Sequence, residues 1–473
     1  MPTVLEEPPP NLSINAWTGA DRDAEGALTA ETKPWATREP PQSMQTLAAR
    51  IPNPRDWKDP KIGWGLVMEH RPEFSAADNA ALKGMPEAVR DLRKFRNGVV
   101  FGWSAEFGTD RLLRYLADNT TVDVPISDVV RGTADNALPR YILILGGPTK
   151  IPWLVQYTLN LCAAVGRLDL DEAGLQNYVS AVVNDWAETS PDVSKCVLWS
   201  VNRGGTDITA LMKSTVASPL FDALRADEQI GANAQFLTDA DATHARLRDA
   251  LSNSTPGLIV TTSHGRTGPL NDPAAMRRDL GLLVDRANAT LPCADLLNAW
   301  QPNGAIWYAH ACCSAGSDTG SVFAGLFGTS ALARTLDGIG KLGAQSAPLP
   351  LALLGAKKPL RAFIGHVEPT FDWTLAGADM KQALTASIIS ALYDNLFEEN
   401  PMTVGAAFAD YFLQVGNLFN QQSNALLDLQ NFKPGAERKA LRCRLGALDR
   451  RSLVIHGDPA VALPKLPPLA RPA

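Results

Sequence analysis

Two short segments carry residue types that are able to do covalent chemistry together. The apolar run Gly257-Leu-Ile-Val-Thr-Thr-Ser ends on His264, which is followed by Gly265, and the run Ala305-Ile-Trp-Tyr-Ala-His-Ala ends on the adjacent thiols Cys312 and Cys313. A thiol is a good nucleophile only as the thiolate, and a neighbouring imidazole produces it by accepting the proton. A glycine straight after the histidine leaves its backbone N–H unobstructed, suited to hold a developing oxyanion alongside the nucleophile's own N–H. The chemistry would be acyl transfer through a thioester. Taken singly, each segment is no more than a turn after a strand or a buried small hydrophobe. Together they say more, because each ends an apolar run and the cysteine follows the histidine by 48 residues. Neighbouring side chains of a strand point to opposite faces, so only one of the two thiols can face His264.

These tips need strands to deliver them. Short Ile/Val/Leu-rich runs begin at Tyr141–Leu145 and recur at Cys196–Val201, Gly257–Thr262, Ala305–Ala309, Leu360–Ile364 and Ser452–His456. Near-continuous apolar runs of this length are the pattern of strands buried on both faces of a parallel sheet. Helical patterns alternate with them. Val89, Leu92 and Phe95 share a face over Glu87–Phe95, Asp241–Leu251 opens with Asp and Thr caps, and Met380–Leu396 places Met380, Leu384, Ile388, Leu392 and Leu396 on one stripe. The alternation predicts a three-layer α/β/α sandwich with a mostly parallel central sheet, whose function collects at the carboxyl ends of the strands. Adjacent parallel strands would bring His264 and the cysteines to one edge.

Composition narrows the function classes. Of 473 residues, 45% are apolar and 20% charged, with a net charge of −6, which describes an ordinary globular protein and not a nucleic-acid binder that displaces counterions with a basic stripe. Six cysteines without a C-x-x-C pair signal neither a disulfide scaffold nor a zinc ribbon, and a reducing cytoplasm is the expectation. The acidic, proline-rich start has no signal-peptide pattern, and the longest apolar stretch, Ala347–Ala356, is too short to span a bilayer. Residues 1–45, with seven prolines and seven acidic residues, are expected to be a flexible arm. Residues 46–137 are an accessory region, 138–463 the α/β unit and 464–473 a proline-rich tail. Gly338-Ile-Gly-Lys-Leu-Gly343 matches a dinucleotide-binding fingerprint but follows a helical pattern where a strand is required. Metal binding by His264, His310, Cys312 and Cys313 matches no zinc spacing.

Thr262-Ser-His264-Gly265 and His310-Ala-Cys312-Cys-Ser resemble the two signature blocks of the caspase-like cysteine peptidases, the group of caspases, legumains, separases, gingipains and bacterial CHAT-domain proteases. The order and gap of about 50 residues agree. The flanks look most like the CHAT and gingipain branches: Arg140–Pro152, the helix at Ala242–Leu251, the segment Leu349–Asp372, and the closing Leu453-Val-Ile-His-Gly457-Asp458-Pro459. The resemblance covers residues 138–463. It implies a cysteine endopeptidase with His264 as proton acceptor or imidazolium partner, Gly265 N–H as oxyanion donor and Cys312 as nucleophile. Cys313 is the alternative on the separase pattern. It also implies a substrate pocket lined by His310, two before the nucleophile, with Glu368 and Asp372 placed to meet a basic P1 side chain and Trp373 as a wall. Neither a metal nor an organic cofactor is required, and calcium, used by some relatives, is left open. The expected partners are a protein or peptide substrate and an activating protein, not nucleic acid or membrane. A role in bacterial defence or regulated cell death is implied by the resemblance alone. The alternative is a catalytically silent module of the same fold that binds a partner.

Overall fold

The computed structural model describes residues 11–12, 26–27, 53–127, 130–323, 326, 330–376 and 384–468. Most of the expected arm lies outside this set. Its two described pairs, Asn11–Leu12 and Gly26–Ala27, form a short antiparallel ladder.

The unit from Asn53 onward is built on one twelve-stranded sheet. Its strands are β1 (Trp64–Glu69), β2 (Val99–Trp103), β3 (Arg111–Tyr115), β4 (Thr121–Pro125), β5 (Tyr141–Leu145), β6 (Ala164–Leu168), β7 (Asp192–Ser200), β8 (Ala234–Thr238), β9 (Pro256–Thr262), β10 (Ile306–His310), β11 (Ala362–His366) and β12 (Leu453–His456). They lie in the spatial order β8-β7-β9-β10-β11-β12-β6-β5-β1-β2-β3-β4. Only β11–β12, β2–β3 and β3–β4 pair antiparallel. The six apolar runs read from the sequence all form strands of this sheet. β10 and β11 are buried at every position, as a doubly covered sheet requires.

The two faces collect different helices. On β5, Tyr141 and Leu143 pack into the larger core and Ile142 and Ile144 into a second one, the alternation of a pleated strand. Helix α1 (Glu87–Phe95) gives Val89 and Leu92 to the first core, as does α3 (Glu172–Val183) with Tyr178 and Val182, whereas α2 (Trp153–Asn160) gives Val155 and Leu159 to the second. The architecture is therefore helix, sheet, helix. α1 spans the residues its periodicity predicts. The expected helix at Asp241–Leu251 begins three residues later, as α5 (His244–Ser252), because Thr243 takes the cap and its hydroxyl accepts from Arg246 N–H; α4 (Ile208–Met212) precedes it in the chain. Of the stripe at Met380–Leu396, residues 380–383 lie outside the described set; Ala386–Ser390 is α-helical and runs into a wider π-type turn at Ala391–Asn395, with Ile388, Leu392 and Leu396 buried. A long hairpin, α6 (Ala409–Gln430) and α7 (Ala436–Arg451), leads into β12.

The Gly457-Asp458-Pro459 turn after β12 is a clasp. Asp458 is fully buried and accepts from the Trp64 indole (3.0 Å), the Arg96 guanidinium (2.7 Å) and Ala460 N–H (3.0 Å). It thereby joins β1 and the end of α1 to the last strand. Among the described residues no helix is long and apolar enough to cross a membrane.

Candidate active site

Strands β7, β9, β10 and β11 end at one edge of the sheet. Thr262 is level with Ser200 on one side and His310 on the other, and Tyr308 is level with Ile364. Four loops therefore meet there: Val201–Asp207, Ser263–Gly265, Ala311–Cys313 and Val367–Asp372.

The loop after β9 pairs His264 and Gly265 with Val284 and Leu283 in a two-residue antiparallel ladder. Gly265 is pressed onto the next loop, where a Cβ would lie 1.9 Å from the Cys312 carbonyl oxygen. Gly281, in the left-handed region at φ 68°, meets the Cys313 carbonyl in the same way, at 2.0 Å. Only glycine fits either place.

The loop after β10 separates the two thiols. Cys313 has φ 55°, rare for a residue with a Cβ, and its side chain is enclosed by Met276, Leu280, Ile339 and Leu342. Burial pushes that thiol well above the usual range. Cys312 is half-buried, and its Sγ accepts from the Thr370 N–H at 3.3 Å. Burial raises this thiol too, and the Thr370 bonds oppose the shift.

The loop after β7 supplies a residue with no signal in the sequence motifs. Asp207 caps α4, accepting from Thr209 N–H (2.9 Å) and Oγ1 (2.6 Å), and its carboxylate oxygens lie 3.0 and 3.1 Å from His264 Nε2. Partial burial works against the charge, but the Thr209 and His264 bonds prevail and hold the carboxyl down at about 2. A carboxylate on Nε2 keeps the proton on that nitrogen and leaves Nδ1 as the basic one. The Gly204-Gly205 pair at φ 71° and 60°, followed by an Asp-x-Thr cap, is the one trace of this loop in the sequence.

His264 and Cys312 are thus brought to one edge without a hydrogen bond between them: the imidazole is bonded to Asp207 and the thiol to Thr370. An open groove of about 450 Å³ runs between Asp207 and Ile208 on one wall and Thr370, Phe371 and Asp372 on the other. Trp373 stacks on Phe371 (4.5 Å between ring centroids) and backs that wall. His310 and Glu368 depart from the expectation, since neither lines the groove. His310 is fully buried, bonded through Nδ1 to Tyr308 Oη (2.8 Å) and set edge-on to His366, and burial brings it down to about 4, so it is neutral. Glu368 is 4% exposed and accepts from Ser321 Oγ (3.0 Å), and burial raises it to about 7. Among the described residues no group of three or more His, Cys, Asp and Glu is placed to hold a metal ion.

No family model matches this chain, and no curated protein does. A solved structure of the separase–securin complex of Saccharomyces cerevisiae is similar over 72% of the chain, at 13% identity and a TM-score of 0.35. This chain spans 16% of the length of that one. A likeness so slight carries no argument about fold or activity.

Proposed function

We propose that this chain is a caspase-like cysteine endopeptidase. The observation that carries the reading is the shared edge: adjacent parallel strands deliver His264-Gly265 and Cys312 to abutting loops, with a carboxylate already on the imidazole. On this reading the groove receives an extended peptide, and the Cys312 thiol turns from Thr370 towards His264. Nδ1 takes the thiol proton, Asp207 steadies the imidazolium through Nε2, and the thiolate adds to the scissile carbonyl. The N–H groups of Gly265 and Cys312 are the expected oxyanion donors. Collapse expels the amine, which takes the proton from His264, and water hydrolyses the thioester. Asp372 on the groove wall favours a substrate with arginine or lysine at the reacting position.

A second reading has its own support. The thiol is raised by burial and is hydrogen-bonded to Thr370 instead of the imidazole, as expected of a silent module that uses the groove to bind a protein. Cleavage of a peptide library by the purified chain separates the two. The peptidase reading predicts cleavage that Cys312→Ala lowers about 10⁴-fold or more, while Cys313→Ala retains most of it. A folded wild-type chain that cuts nothing under any condition favours the binding module.

A further inference from the structure

The groove wall that carries Thr370 and Asp372 is a loop whose described residues include a 3₁₀ turn, Asp372–Thr374, and no longer element. Such a segment is expected to be mobile unless something outside it holds it. Asp449 on α7 does so. It is fully buried, and its carboxylate accepts three hydrogen bonds from that loop: Phe371 N–H on Oδ1 (3.0 Å), and Thr374 N–H (2.9 Å) and Oγ1 (2.7 Å) on Oδ2. A buried carboxylate is tolerable only when its oxygens are met by donors, so the loop and the carboxylate stabilise each other's placement. The adjacent Arg450 does not pair with Asp449. Its guanidinium reaches Gln414 Oε1 (2.8 Å), the carbonyl of Leu384 and the carbonyl of Thr374 (3.4 Å), so it grips the same turn from its acceptor side. The residue before Phe371 is Thr370, whose N–H lies on Cys312 Sγ at 3.3 Å.

We propose that Asp449 is a positioning residue for the thiol: by clamping Phe371 and Thr374 it fixes the Thr370 N–H at Cys312 Sγ, where that donor favours thiolate over thiol. This rests on reading Cys312 as the nucleophile. The physical basis is that an N–H aimed at sulfur stabilises the anion more than the neutral form, and only if the loop cannot drift away when the charge appears.

The test is site-resolved alkylation of Cys312 by iodoacetamide as a function of pH, on the full chain, followed by mass spectrometry of the peptide that contains it. The Asp449 charge itself raises the Cys312 thiol, so the clamp is read between two variants that both lack that charge. The apparent thiol pKa is expected to lie about one unit higher in Asp449→Ala than in Asp449→Asn, which keeps a carbonyl acceptor, so that alkylation at neutral pH is about tenfold slower. Thr374→Val, which leaves the charge in place, is expected to raise the thiol above wild type by less. A merely structural role would lower the melting temperature and leave the profile of the folded protein where it was. A folded Asp449→Ala with the profile of Asp449→Asn overturns the proposal, and if Asp449→Ala does not fold, a folded Thr374→Val with the wild-type profile does. Peptide cleavage is a separate readout: a wild type that cuts nothing would count against the peptidase reading and leave the alkylation result to decide the clamp.

Discussion

Cys312 and Cys313 are joined by one peptide bond, yet the left-handed backbone of Cys313 sends its thiol into an apolar cluster and leaves that of Cys312 beside Thr370. The motifs made His264, Gly265 and the cysteine pair legible in the sequence, because residue type and strand-end position carry that information. They did not reveal Thr370 or Asp207. The contribution of Thr370 is a backbone N–H, which no residue type announces, and Asp207 reaches His264 only because two strands and a helix cap bring together residues 57 apart. His310 was misread for a related reason: spacing from the cysteine put it near the chemistry, but the pleat turned it inward to Tyr308. Two predictions belong at this scale. Gly265→Ala drives a methyl into the Cys312 carbonyl, 1.9 Å from the ideal Cβ, so the thiol should lose reactivity towards a peptide electrophile in a protein that still melts cooperatively. Asp207→Asn keeps the shape and removes the charge that steadies the imidazolium. Peptide turnover should fall by about 10²-fold, with the larger part in kcat.

At the level of elements, the strands visible in the sequence were those buried on both faces, since an unbroken apolar run leaves no ambiguity. Burial does not decide it alone, since β2, Val99-Val-Phe-Gly-Trp103, is apolar and buried throughout yet lies in the region read as accessory; other strands have mixed patterns. β3 and β4, Arg111–Tyr115 and Thr121–Pro125, lie at the open side of the sheet and carry charged residues. β6 contains Arg167, which reads as a polar break; in the structure it is fully buried over the Trp153 ring (4.5 Å), bonded to Gln156 Oε1 (2.9 Å) and Gly146 O (2.8 Å). The segment after β11 carries a pH consequence. Burial raises Glu368 from 4.5 to about 7, so the folded chain holds this proton more tightly than the unfolded one. Its neutral form costs little, and as pH climbs from about 4.5 through 7 the buried charge costs stability on the order of 3 kcal/mol. Asp449, raised to about 7 by the same cause, adds in the same direction. The histidines held neutral by burial, His310, His366 and His456, slope the other way, so the effect is read as a difference: over that window the melting temperature of wild type should fall relative to that of Glu368→Gln. A difference that stays constant with pH would assign the effect elsewhere.

Across the whole molecule, one sheet runs through both the region from residue 46 and the region that resembles the peptidases, with β5 and β1 paired in parallel. The α/β class was readable from strand and helix alternation alone. The joining of the two regions was not, because it depends on strand pairing and side-chain contacts between residues far apart in the chain. Asp458 makes the chief one, receiving Trp64 and Arg96 from one end of the chain on a turn at the other. Asp458→Ala leaves Arg96 buried and unpaired, at 5% side-chain exposure, and is expected to cost about 3–5 kcal/mol in denaturant unfolding. A loss below about 1 kcal/mol would show that the clasp is dispensable. Labelling the full chain with a peptide that bears a thiol-reactive electrophile, and locating the adduct, tests whether Cys312 beside His264 is a working nucleophile. A single adduct is expected on Cys312 in wild type and in Cys313→Ala, much slower in His264→Ala and absent in Cys312→Ala; labelling of Cys312→Ala as strong as wild type would overturn the assignment.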